Sequence, residues 1–115
     1  YGSGARKDML IPKILRNDIQ YLNVNHIRDF IHVDDLISAI DVIMTKNIKG
    51  VIDVGSGVSN KLTDIAEYFK IDYKSVIGDE TERLDNTADI SLLNSYGWEN
   101  KTNLYKYIEE CKNVN

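Results

Sequence analysis

Cysteine is almost missing: Cys111 is the single one in 115 residues. That excludes an internal disulfide framework, and no metal-ligand or redox spacing surrounds it. Cys111 reads as a thiol near the end of the last helix, in keeping with a reducing, cytoplasmic setting. Long apolar runs are absent too. Nothing approaches the roughly 18 consecutive apolar residues of a membrane span, and the N-terminal stretch lacks the order of a signal peptide. There is no excess of positive charge, since 14 Lys and Arg stand against 18 Asp and Glu for a formal net charge of -4. The basic residues are scattered, whereas nucleic-acid binding needs a basic patch or stripe. Internal repeats and low-complexity tracts are lacking. An initiator methionine is also absent: the chain opens on the turn-like Tyr1-Gly2-Ser3-Gly4, and the expectation is a fragment of a longer protein.

What is present is globular in character. Hydrophobic residues make up 43% and charged residues 28%, well away from the composition of a disordered segment. Residues 1–115 have the size of one domain with one modest core, burying somewhat less than the roughly 70% of surface expected of a 150-residue domain.

The patterning predicts a short helix from Met9 to Arg16 with Pro12 in its first turn. Strands are predicted over Ile19 to Val24 and Ile27 to Val33, joined as a hairpin by the polar Asn25-His26, with Phe30 or Ile31 inward depending on register. Asp34 is the expected N-cap of a helix whose face is Leu36, Ala39, Ile40, Ile43 and Met44, ending at Asn47 and Gly50. A strand over Val51 to Val54 then leads through Gly55-Ser56-Gly57 to a helix with Leu62, Ile65, Ala66 and Phe69 on one face. Val76-Ile77 reads as a strand, and Gly78 to Thr87 as irregular. Asp89 caps a short helix closed by Gly97, and Thr102 starts a last helix carrying Leu104, Ile108 and Cys111. The fold class is therefore α/β with α+β character, a few short strands with about four helices. Such modules often complete a larger fold.

Arg28 is the leading site residue. Its rigid fork of donors suits bidentate contact with phosphate oxygens, and a strand would hold it well; an ion pair with Asp29 or another carboxylate is the alternative. His32 reads as structural, since no Ser or Asp stands at a recognisable triad spacing. Asp34-Asp35 does not require a metal, and none is expected, because N-capping and the helix dipole account for Asp34.

The run Ile27-Arg28-Asp29-Phe30-Ile31-His32-Val33-Asp34-Asp35-Leu36 resembles the strand-to-helix signature of the NAD-dependent nucleotide-sugar epimerases and dehydratases, the extended short-chain dehydrogenase/reductase family. A second segment, Arg83 with Ala88-Asp89-Ile90-Ser91, then Gly97-Trp98 and a closing helix, resembles that family's C-terminal pattern. The likeness runs from Tyr1 to about Ile108 and implies the substrate-binding C-terminal portion of an extended Rossmann-type enzyme, without its N-terminal NAD-binding domain. It implies that Arg28 and Arg83 both reach the substrate diphosphate. Read on its own, Arg83 is a solvated arginine. Met9-Leu10-Ile11-Pro12-Lys13 resembles the segment bordering the nucleotide base, placing Leu10 there, and Tyr21 matches an aromatic or apolar position near it. A tyrosine face stacks on bases, although such a tyrosine more often simply covers core. The sequence departs from the family in three places: Leu84 intervenes before Asp85, the glycine-rich hairpin before Arg28 is replaced by Leu22-Asn23-Val24-Asn25-His26, and Asp53 stands in place of the usual Asn.

The implied chemistry is transient oxidation of a sugar with NAD or NADP, using a Tyr-x-x-x-Lys pair. Neither that pair nor a complete glycine-rich NAD motif occurs, so the chain alone is expected to lack tight NAD binding and turnover. A nucleoside-diphosphate sugar and the missing Rossmann domain are the implied partners, and oligomeric state, including self-association through an exposed docking face, is open. Two other readings compete. Val51-Ile52-Asp53-Val54-Gly55-Ser56-Gly57 resembles the first motif of S-adenosylmethionine-dependent methyltransferases, which predicts protection from unfolding by that compound. A ligand-free interaction module predicts protection by neither compound.

Overall fold

The structure, a computed structural model, describes residues 1–77 and 84–113. Its longest element, helix α2 (Val33–Thr45), follows from the apolar spacing around Ala39, which is completely buried. The N-cap is His32, whose Nδ1 accepts the Asp34 amide at 3.0 Å. That corrects the expected cap at Asp34: the last extended residue is His32, and its ring nitrogen meets a donor the helix start leaves unpaired. Asp34 and Asp35 instead occupy the first turn, where negative charge suits the helix dipole. The far end closes through Asn47 at φ 54° and Gly50 at φ 94°.

Four further helices surround it among the described residues: α1 (Leu10–Leu15), α3 (Leu62–Tyr68), α4 (Ser91–Ser95) and α5 (Leu104–Asn113). Pro12 sits in the first turn of α1, where its missing N–H costs nothing. The short α4 follows Asp89, whose carboxylate accepts both the amide and the hydroxyl of Ser91. Those bonds hold the Asp89 carboxyl below its ordinary pKa. Helix α5 begins at Leu104, two residues after the expected start at Thr102. The Asn103 side-chain oxygen accepts the Lys106 amide at 3.0 Å as an N-cap does, while the Thr102 amide is diverted to the buried Asp35 carboxylate at 2.9 Å.

The strands are very short. β1 (Tyr21–Asn23) pairs in parallel with β4 (Lys74–Val76), Leu22 opposite Ser75. β2 (Ile27–Arg28) pairs antiparallel with β3 (Asn60–Lys61), Arg28 opposite Asn60. The predicted hairpin between the first two strands is thus not formed. Tight hairpin turns use residues at positive φ, and none of Val24, Asn25 and His26 adopts it. The buried His26 instead redirects the chain, so that each strand joins a different two-stranded sheet.

Two apolar cores result. One joins Ile11, Ile14 and Leu22 to Leu62, Ile65, Ala66, Ile71, Leu104 and Ile108, and the other groups Ala39, Leu93 and Trp98. Phe30 packs on the first and Ile31 on the second, so the segment after β2 passes between them and both side chains find cover. The expected strand at Val51 to Val54 is not formed: the segment has no ladder partner among the described residues. Ile52 and Val54 pack on the second core while Val51 is fully exposed.

Candidate functional site

Arg28 ends β2 with its guanidinium held by two backbone carbonyls and the His26 ring. Nη1 donates to the Ile27 carbonyl at 2.9 Å and to the Leu84 carbonyl at 3.1 Å, and Nη2 lies 3.1 Å from His26 Nδ1. Among the described residues no carboxylate is paired with it. The alternative of an Arg28–Asp29 ion pair is not realised, because alternation along an extended chain sends neighbouring side chains to opposite faces.

Asp29 has partners of its own. Oδ1 accepts the Ser56 amide at 2.8 Å and the Ser56 hydroxyl at 2.6 Å; Oδ2 accepts the amides of Gly57 at 2.9 Å and Ala88 at 3.1 Å. Its own amide donates to Asn86 Oδ1 at 2.8 Å. The carboxylate therefore joins three segments: the Arg28 strand, the glycine turn and the loop over residues 84–88. Ile27 adds to the seam, donating to the Leu84 carbonyl at 2.7 Å and bridging in parallel to Asp85. Sequence reasoning weighed Asp29 only as a partner for arginine, since nothing local in the chain reveals acceptors for amides some 30 and 60 residues away.

The same bonds decide what the Gly55-Ser56-Gly57 turn does. Its Ser56 and Gly57 amides, the donors that a phosphate cradle would offer, are taken by Asp29. A Cβ on Gly55 would stand 2.6 Å from the Ala88 Cβ and 2.7 Å from Asp29 Oδ2. The turn is closed by protein, so the residues present do not fit a dinucleotide there. Nor, among the described residues, is the segment before it set in a parallel sheet, as the methyltransferase reading requires.

Leu10 and Tyr21 come together. They line one groove of about 520 Å³ with Lys13, Gln20, Asn23 and Leu62. Tyr21 is 63% exposed, so its ring is surface available to the groove rather than core cover. Arg28 lies outside this lining, on the other sheet. Arg83 lies outside the described residues. His32, besides capping α2, packs edge-on against the rings of Tyr1 and Tyr107, both at 5.2 Å between centroids. That is a structural role. No helix among the described residues is long and apolar enough to cross a membrane.

No protein-family model matches the chain. It is 25% identical to the CDP-abequose synthase of Salmonella muenchen, across 96% of this chain and 43% of that protein. Its fold is similar to that of the dTDP-glucose 4,6-dehydratase of Bacillus anthracis, solved in complex with NAD, with a TM-score of 0.76, 25% identity, and coverage of 97% of this chain and 40% of that one. The UDP-N-acetylglucosamine 4-epimerase of Methanobrevibacter ruminantium shares the fold at a TM-score of 0.72 and 22% identity, over 97% of this chain and 41% of that one. The chain thus spans about two fifths of the length of these proteins. It carries the sequence pattern and the fold of the C-terminal portion of the extended short-chain dehydrogenases/reductases, the family of the NAD-dependent nucleotide-sugar epimerases and dehydratases.

Proposed function

We propose that the chain is the substrate-binding C-terminal part of an NAD- or NADP-dependent nucleoside-diphosphate-sugar epimerase or dehydratase. In this reading Arg28 and Arg83 neutralise the substrate diphosphate, and the groove lined by Leu10 and Tyr21 takes the nucleotide base. The observation that carries it is the state of Arg28: a guanidinium fixed by two carbonyls and an imidazole, with no carboxylate among the described residues to cancel its charge. A cation so held keeps its charge for an anionic ligand and loses little side-chain freedom on binding it.

The redox cofactor and the Tyr-x-x-x-Lys pair belong, in this reading, to a Rossmann domain elsewhere in the parent protein, and the chain alone does not turn over substrate. The surface of α2 supports the presence of such a neighbour. Ile37, Ile40 and Met44 are 59%, 45% and 75% exposed on successive turns. An exposed apolar helix stripe of this kind is what a neighbouring domain would cover.

The test is nucleoside-diphosphate-sugar binding by calorimetry. Arg28→Ala is expected to weaken it by about 1.5–3 kcal/mol, the scale of a hydrogen bond to a charged group. An unchanged affinity removes Arg28 from the site.

A further inference from the structure

We infer that Asp29 is a positioning residue for Arg28 in the diphosphate site: its carboxylate sets the loop over residues 84–88 against the strand that carries Arg28. The inference rests on the diphosphate reading above and adds a residue that touches no phosphate. Four donors converge on the Asp29 oxygens, two on each, from Ser56, Gly57 and Ala88. The Ser56 hydroxyl donates to Asp29 and accepts the Val58 amide at 3.0 Å, so its proton is committed. Three of these four donors are backbone amides, and the two carboxylate oxygens of Asp29 supply an acceptor to each of them.

The consequence reaches Arg28 through the loop. Ala88 and Asn86 anchor residues 84–88 to Asp29, the Ile27 amide fixes the Leu84 carbonyl, and that carbonyl accepts from Arg28 Nη1. One carboxylate therefore anchors the loop whose Leu84 carbonyl orients Arg28. Asp29→Asn keeps the shape but breaks this arrangement. Whichever way the new amide is turned, its NH₂ faces at least one backbone N–H, that of Ser56 on one side or those of Gly57 and Ala88 on the other.

The experiment titrates the full chain with UDP, used as a plain nucleoside diphosphate, and follows backbone amide NMR shifts in the parent sequence, Arg28→Ala, Asp29→Asn and the double variant. Asp29→Asn is expected to stay folded and to lose about tenfold in UDP affinity, the scale of a misplaced charge-assisted contact. The double variant is expected to bind no more weakly than Arg28→Ala, because Asp29 acts through the arginine it helps to orient; a purely structural role would add a further loss. Asp29→Asn binding as the parent does, or losses that multiply in the double variant, would overturn the inference and leave the diphosphate reading standing. If UDP does not bind, or Arg28→Ala binds it unchanged, the diphosphate reading falls and the inference with it. Should Asp29→Asn fail to fold, Ser56→Ala decides. It removes one donor without opposing any, and is expected to weaken UDP binding by about threefold, a fraction of a neutral hydrogen bond's worth; unchanged affinity would overturn the inference.

Discussion

The indole Nε1 of Trp98 donates to the Ser38 hydroxyl at 2.9 Å, fastening the turn after α4 to the flank of α2. Ser38 in turn donates to the Asp35 carbonyl at 2.8 Å, and Asp35 accepts the Lys101 and Thr102 amides. A short relay thus binds the beginning of one helix to the approach of another more than 60 residues later.

Trp98 is 3% exposed and completes the smaller core with Ala39 and Leu93. Trp98→Phe should cost about 1–2 kcal/mol, from the lost hydrogen bond and a stranded Ser38 partner. Trp98→Ala should cost about 3–5 kcal/mol, because a cavity is added. Urea unfolding followed by circular dichroism measures both, and a Phe variant as costly as the Ala variant would contradict the assigned role of the bond.

Gly55 sits where the chain comes closest to Asp29. Gly55→Ala places a methyl group 2.6 Å from the Ala88 Cβ, and the resulting shift should destabilise the fold by about 1–3 kcal/mol, as overpacking does. The amide shifts of Gly57 and Ala88, both donors to Asp29, should move together in the NMR spectrum. Movement of neither would show that the turn gives way elsewhere.

Alkaline pH should expose Tyr1. Burial first, then the negative Asp35 and the neighbouring Tyr107, push its hydroxyl up to about 12 from 10.0. The unfolded chain releases this proton first, so the associated stability is fully present below about pH 10 and is lost as pH rises toward 12. Urea midpoints across that window should fall less steeply for Tyr1→Phe than for the parent. Tyr105 and Tyr107 are also raised by burial and leave a residual slope. Identical slopes would remove Tyr1 as a contributor.

The helices were readable from the chain because their evidence is local: the spacing of Ala39, Ile43 and their neighbours, or of Leu62, Ile65 and Ala66, repeats within one element. Their starts were less so. His32 caps α2 although Asp34 offers the commoner capping chemistry, and Thr102 gives its amide to Asp35 instead of opening α5. Strand pairing was not legible, since ladders of two or three residues carry too little alternation and their partners lie far along the chain. The candidate site divides in the same way. Leu10 and Tyr21 line one groove, Arg28 lies on a separate sheet, and the bonds of Asp29 run to backbone amides that no motif marks.

The turn between α2 and the Val51 segment has a consequence for how the molecule holds together. Both ladders and both cores draw on residues from each side of it: Leu22 with Ser75, Arg28 with Asn60, Ile14 with Ile108 and Ala39 with Leu93. Lys46, Asn47, Lys49 and Gly50 are exposed there, where proteases cut most readily. A nick at this turn would yield interlocked halves, each owning one strand of every pair. Neither half is a subdomain, and the two pieces expressed separately should regain structure only on mixing.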